Sequence, residues 1–173
     1  SIFCFVVSWL FAVTCYSQVT RALVIGIDTY SPPQGIKVSI NNDRQTFPNL
    51  SGCKNDAIAI SSVLQTHFSV SQKNIDTLYN REATRDNIVG KLKQLLDNSR
   101  ENDLVFLFYA GHGSQVNNSL SSEPDKKDET IVPSNAWTKP GMDITDKELA
   151  RIFNQFIDKG IKLIAVFDCC HSG

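Results

Sequence analysis

The sequence predicts an α/β fold: three layers, with a mainly parallel sheet and helices on both faces. Two observations carry this. Apolar runs and segments of helical spacing alternate along the chain, in the order strand, helix, strand, helix, strand, helix, strand. The runs within 21–28 and 104–109 are also nearly continuous in apolar residues, as strands buried on both sides are. Hydrophobic residues make up 42% of the chain and charged residues 20%, enough to build a core. Nine glycines, six prolines and five cysteines in 173 residues exclude a collagen, a low-complexity chain and a disulfide scaffold. A net charge of -1 leaves no basic field for nucleic acid or anionic lipid, so no nucleic-acid partner is expected.

Taken in order, the run 21–28 (RALVIGID) predicts a buried parallel strand. Residues 29–51, rich in Pro, Gly, Asn and Ser, predict a long loop. The helix over 55–67 has a stripe of Ala57, Ile60, Val63, Leu64 and His67, and His67 is expected at the core or its boundary. A short strand follows at 75–79. Thr84 caps the next helix, with its stripe at Ile88, Val89, Leu92, Leu95 and Leu96. The run 104–109 (LVFLFY) is the most strand-like of the chain, and the polar stretch from there to about Met142 predicts a loop. Thr145 to Glu148 opens a helix with Leu149, Ile152, Phe153, Phe156 and Ile157 on one face, closed by Gly160. The run 161–167 (IKLIAVF) is the last strand.

Residues 1–20 carry no charge, and Ile2 to Val13 is almost unbroken apolar sequence, shorter than a membrane span. With the small residues that follow, 1–17 resembles a secretory signal peptide lacking its basic start, cleaved near Ser17. A buried first element, or a lipid anchor at Cys15, is the alternative. The expected arrangement is therefore this leader, then one domain over 18–173, truncated at its C-terminal end, with no membrane span in the mature chain. Such a chain is secreted or periplasmic. Its thiols after cleavage would be Cys53, Cys169 and Cys170, an odd number in an oxidising space.

Chemistry in a parallel α/β sheet sits beyond the carboxyl ends of the strands. Two strand ends carry reactive residues: Tyr109-Ala110-Gly111-His112-Gly113-Ser114 and Asp168-Cys169-Cys170-His171-Ser172-Gly173. If these strands are neighbours, His112 and one cysteine face each other, and an imidazole within reach raises the thiolate fraction of a thiol. Successive strand residues point to opposite faces, so only one of Cys169 and Cys170 can face His112. Backbone N–H groups of Gly113 and Cys170 are candidates for an oxyanion hole. A zinc site is excluded, because Cys169, Cys170 and His171 are adjacent and no second cluster exists. His171 is expected to be a loop residue held by packing.

The segments FYAGHGS and FDCCHSG resemble the two signature blocks of metacaspases and related caspase-like cysteine peptidases. A third block, Leu50 to Ala57 (LSGCKNDA), resembles the stretch before that family's first helix, and 21–28 is similar to its first strand. The resemblance covers about Arg21 to Gly173. It implies a caspase-like fold and a cysteine endopeptidase, with a peptide or protein as substrate. It implies that Cys170 is the nucleophile and His112 its acid/base partner. It further implies cleavage after Arg or Lys, with Asp56 and Asp168 meeting the basic side chain and Cys53 beside that pocket. Asp56 could instead favour the helix start electrostatically, and Asp168 could orient the cysteine loop. Cys53 could be a small buried residue.

The chain departs from the family at three places. Ala110 stands where Ser is usual, Cys169 where a small hydroxyl residue is common, and Lys147 where the second acid of a pair is often found. The last bears on calcium, which many members need. Asp128, Glu129 and Asp146 are the candidate ligands, with Lys147 a cation among them, so calcium activation is an open expectation and no other cofactor is implied. The alternative to an enzyme is a catalytically inactive caspase-fold module that binds partners. Lys126, Lys127 and Lys139 are candidate points of self-processing.

Overall fold

A computed structural model describes residues 17–32, 34, 47–118, 120 and 124–170; the leader expected over 1–17 lies almost wholly outside them, as does His171. A four-stranded parallel sheet is formed by β1 (Thr20–Gly26), β2 (Ile75–Tyr79), β3 (Leu104–Ala110) and β7 (Lys162–Asp168), in the order β2-β1-β3-β7. The helices are α1 (Cys53–Thr66), α2 (Arg85–Asn98) and α3 (Asp146–Asp158).

The wiring explains which face each helix takes. The chain steps from β1 to β2 in one direction, then from β2 over β1 to β3 and on to β7 in the other. Crossovers between parallel strands are right-handed, so reversing direction changes the face. Accordingly α1 covers one face, packing Ala57 and Leu64 against Ala22, Val24 and Phe108. On the other face α2 and α3 pack Ile88, Leu92, Leu149, Ile152 and Phe156 against Leu23, Ile25, Val105 and Leu107. From Ala22 to Ile25, β1 is fully buried, which accounts for its unbroken apolar run. Each buried Leu or Ile side chain contributes about 1.5–3 kcal/mol.

The sequence expectations hold for these seven elements, with three corrections. First, the stretch between β3 and α3 is not simply a loop. It contains an antiparallel sheet of β4 (Gly113–Asn117), β5 (Lys127–Ile131) and β6 (Ile144–Thr145), in that order. Its buried positions include Asp128 and Thr130, so apolar periodicity does not reveal it. Second, α1 ends at Thr66 and its buried positions are Ala57, Ser61 and Leu64. His67 is exposed, its Nδ1 2.7 Å from Thr66 Oγ1, and Val63 is also exposed. Third, Ile157 is exposed at the end of α3.

At the amino ends of the strands, the buried carboxylate of Asp103 ties the sheet to its flanks. It accepts from the N–H of Val19 and of Arg100 (2.9 and 3.0 Å) and from the Arg21 guanidinium (2.7 Å). Burial alone would raise its pKa, but these donors prevail and hold it below the usual Asp value. A carboxylate stabilised in this way adds stability above its unfolded pKa and loses it as pH falls through the depressed folded value. Asp103→Asn should therefore lower stability by about 2–3 kcal/mol at neutral pH. It should also flatten the loss of stability below about pH 4, as urea titrations across pH would measure.

Candidate active site

Parallel pairing of β3 with β7 runs through to Ala110 opposite Asp168. His112 and Cys170 each lie two residues further on, so they leave neighbouring strands at the same level. The two ends stay in contact beyond the sheet: Gly111 N–H donates to the Asp168 carbonyl (3.3 Å). A side chain at Gly113 would overlap the carbonyl of Cys170, and only hydrogen fits there.

The imidazole of His112 is half-buried. Its Nε2 lies 2.8 Å from the carbonyl oxygen of Pro48. A carbonyl can only accept, so Nε2 carries the proton and Nδ1 is the ring's acceptor. The ring packs against both Tyr30 and Phe47, with centroids 4.7 and 5.2 Å away, and those two rings also touch each other. The Pro48 segment is fastened in turn: Asn49 Oδ1 accepts from the N–H of Tyr30 and of Ser31 (2.9 and 3.0 Å). Leu50 N–H donates to the Asp28 carbonyl (2.8 Å).

The three described cysteines differ in surroundings, and no described cysteine is in a disulfide. Cys170 is exposed. Cys169 points to the α3 side, where it lines a cavity of about 160 Å³ with Phe167, Leu149, Phe153 and Thr130. Burial, with the neighbouring Cys170 and Asp168 adding to it, pushes its thiol up to about 11. Cys53 is half-buried at the start of α1, and burial with the carboxylate of Asp28 pushes it up to about 11 as well. Strand alternation therefore separates the two neighbours: one thiol is exposed, the other turned into the core.

Asp56, in the first turn of α1, and Asp168, at the end of β7, are both exposed. They share one face and one end of the sheet, because Asp168 is in register with Ala110 and Ala110 faces the α1 layer. Sequence reasoning missed Asp28. Its carboxylate accepts from Cys53 N–H and Lys54 N–H (2.9 and 3.2 Å), capping α1 from the end of β1. The residue in the cap position, Gly52, has no side chain to do so. Pro48 was also missed, since a backbone carbonyl leaves no mark in a sequence.

The candidate calcium ligands do not fit the ion. Lys147 Nζ lies 2.7 Å from Asp146 Oδ2 and 3.7 Å from Asp128 Oδ1, so an ammonium occupies the space between the two carboxylates. Asp128 Oδ2 accepts from Asn118, and Glu129 Oε1 from Gln115. Among the described residues no cluster of three or more metal-binding side chains is present. A divalent cation would have to displace a tethered charge of its own sign.

Residues 20–173 match the profile of the metacaspase, peptidase C14 domain. The chain belongs to the metacaspase family. It is 35% identical to Metacaspase-1 of Plasmodium falciparum over 161 residues, covering 88% of this chain and 24% of that protein. It is 32% identical to Metacaspase-1 of Schizosaccharomyces pombe over 166 residues, covering 92% of this chain and 35% of that one. The chain thus spans a quarter to about a third of these metacaspases. A crystal structure of a Geobacter sulfurreducens protein superposes with a TM-score of 0.68 at 24% identity, covering 90% of this chain and 52% of that one, which agrees with the fold.

Two measurements test this site as a metacaspase site. Iodoacetamide at pH 7.5, read by peptide mass spectrometry, should label Cys170 ahead of Cys53 and Cys169. A thiol of pKa about 11 is only about 0.03% thiolate at that pH, and its labelling should rise about tenfold per pH unit. Calcium chloride at 1 mM should leave the melting temperature unchanged. Lys147→Asp, which puts a third carboxylate beside Asp128 and Asp146, should gain a calcium-dependent rise of several degrees.

Proposed function

We propose that the chain is the catalytic unit of a cysteine endopeptidase that cuts after Arg or Lys through Cys170 and His112. The observation that carries this is the matched departure of these two residues from neighbouring parallel strands, with Nδ1 of His112 as the ring's acceptor. In this reading the Cys170 proton passes to His112, and the sulfur attacks the scissile carbonyl carbon to give a tetrahedral oxyanion. N–H groups of Gly113 and Cys170 are the candidates to receive that charge. Collapse breaks the C–N bond, His112 protonates the departing amine, and a thioester to Cys170 remains. Water, deprotonated by His112, then attacks the thioester and frees the thiol and the new carboxylate.

Two exposed carboxylates on one side of the cleft, Asp56 and Asp168, support selection of a basic residue and rejection of an acidic one. Cys53, protonated and half-buried, suits the wall of such a pocket better than a second nucleophile. The apolar leader in the sequence supports export to an extracytoplasmic space, where the substrate would be a protein or peptide.

Fluorogenic peptides ending in Arg, Lys or Asp before the reporter test this reading. Arg and Lys peptides should be cleaved and the Asp peptide spared. Cys170→Ala and His112→Ala should each lower kcat by 10³-fold or more, on the order of what removing such a residue costs elsewhere. Asp168→Asn should lower kcat/KM for the Arg peptide by roughly tenfold or more and leave thiol alkylation unchanged. Unchanged turnover in the Cys170 variant would overturn the mechanism. A folded chain that binds the Arg peptide without cutting it would indicate a binding module.

A further inference from the structure

The backbone of His112 is held at both of its polar groups by tyrosine hydroxyls. Its N–H donates to Tyr30 Oη (2.8 Å), and its carbonyl accepts from Tyr109 Oη (2.7 Å). The two hydroxyl oxygens are 3.4 Å apart. With Tyr30 donating to Tyr109, the bonds form a closed ring: His112 N–H to Tyr30 O–H, to Tyr109 O–H, to His112 C=O. Each hydroxyl both accepts and donates, so each bond polarises the next. Tyr109 Oη also accepts from the N–H of Val132 (3.2 Å), and the Val132 carbonyl at 2.9 Å competes for the single hydroxyl proton that the nearer His112 carbonyl takes. Val132 N–H is also within 3.0 Å of the His112 carbonyl.

The rings that bring these hydroxyls are fixed. Tyr109 is fully buried in β3 and Tyr30 is 3% exposed. Burial raises both phenols above their usual pKa, so both keep the proton that the ring requires. Glycine at 111 follows from the same arrangement, because an added Cβ would lie 2.5 Å from one hydroxyl and 2.7 Å from the other. Tyr30 also packs its ring, tilted by 59°, against the imidazole, and Asn49 bonds the Tyr30 backbone to the segment whose Pro48 carbonyl holds Nε2. Main chain and side chain of His112 are therefore referred to one set of anchors.

We infer that Tyr30 and Tyr109 are positioning residues for His112, setting the aim of its imidazole toward Cys170 through a ring of hydrogen bonds that closes on the histidine's own backbone. The role in turnover rests on the peptidase reading above; the geometric role does not. Neither tyrosine touches a reacting atom.

Tyr30→Phe and Tyr109→Phe keep the rings and remove only the hydroxyls. Each should lower kcat roughly 10- to 100-fold with KM within about twofold, as a misaimed group does. The double variant should be little worse than either single one, because the ring acts as a unit. Leu92→Ala, which opens a cavity under α2, should lower the melting temperature and keep kcat at temperatures where it is folded. Imidazole ¹⁵N NMR, assigned with His112→Ala, should find one tautomer with the proton on Nε2 in the native chain. It should find exchange between tautomers in both tyrosine variants. Variants that lose stability as Leu92→Ala does, yet keep native kcat and native imidazole spectra, would overturn the inference. If the native chain cleaves no peptide, the peptidase reading falls, and the NMR comparison still decides whether the hydroxyls aim the ring.

Discussion

The parallel pairing of β3 with β7 is the constraint on which the site depends. In a parallel ladder both strands point their carboxyl ends the same way, so residues at equal distances past the last pair emerge together. Ala110 opposite Asp168 fixes that level for His112 and Cys170. A slip of one residue would turn Cys170 toward the core and bring Cys169 out. The register is protected by what it buries. Val105, Leu107 and Tyr109 on β3, with Leu163, Ala165 and Phe167 on β7, face the α2 and α3 layer. Lys162 and Asp168 stay in solvent.

Much of this was legible in the sequence because it depends on period and on side chains. β1 and β3 are largely buried and announce themselves as apolar runs, and β7 does too although Ile164 and Val166 on its other face are exposed. α2 and α3 carry stripes that the structure buries at Ile88, Leu92, Leu149, Ile152 and Phe156. The separation of Cys170 from Cys169 follows from alternation alone. What was not legible depends on polar burial and on backbone groups. The β4-β5-β6 sheet buries Asp128, bonded to Asn118, and Thr130, bonded to Asp143, so it looks like a loop. The carbonyl of Pro48 and the hydroxyl of Tyr30 reach His112 from stretches with no periodic signal. His67 was misjudged because α1 ends one residue before it.

Charge is used locally in this chain, and the same carboxylate chemistry serves different ends. Asp28 and Asp103 are spent on backbone N–H groups at opposite ends of the strands, joining β1 to α1 and the residue before β1 to the turn before β3. Asp128 and Asp146 instead meet Lys147, an ammonium that belongs to the fold. Asp56 and Asp168 are left facing solvent, free for a cationic partner. A net charge near zero thus hides a local division of labour, and two of the exposed acids, Asp56 and Asp168, lie at the end of the sheet where Cys170 is.

The position of β7 has a consequence for how the protein comes into being. A polypeptide is made from its amino end, and β7 follows β1, β2 and β3 in the chain and stands beside β3 at one side of the four described strands. Strands β2, β1 and β3, with α1 and α2, can assemble around His112 while the segment bearing Cys170 is still inside the ribosome. The histidine is then in place before the thiol joins the folded body, and the two meet only when β7 docks. A half-made chain carries the surroundings of His112 without the thiol of Cys170, so the order of synthesis alone keeps the two apart until β7 docks.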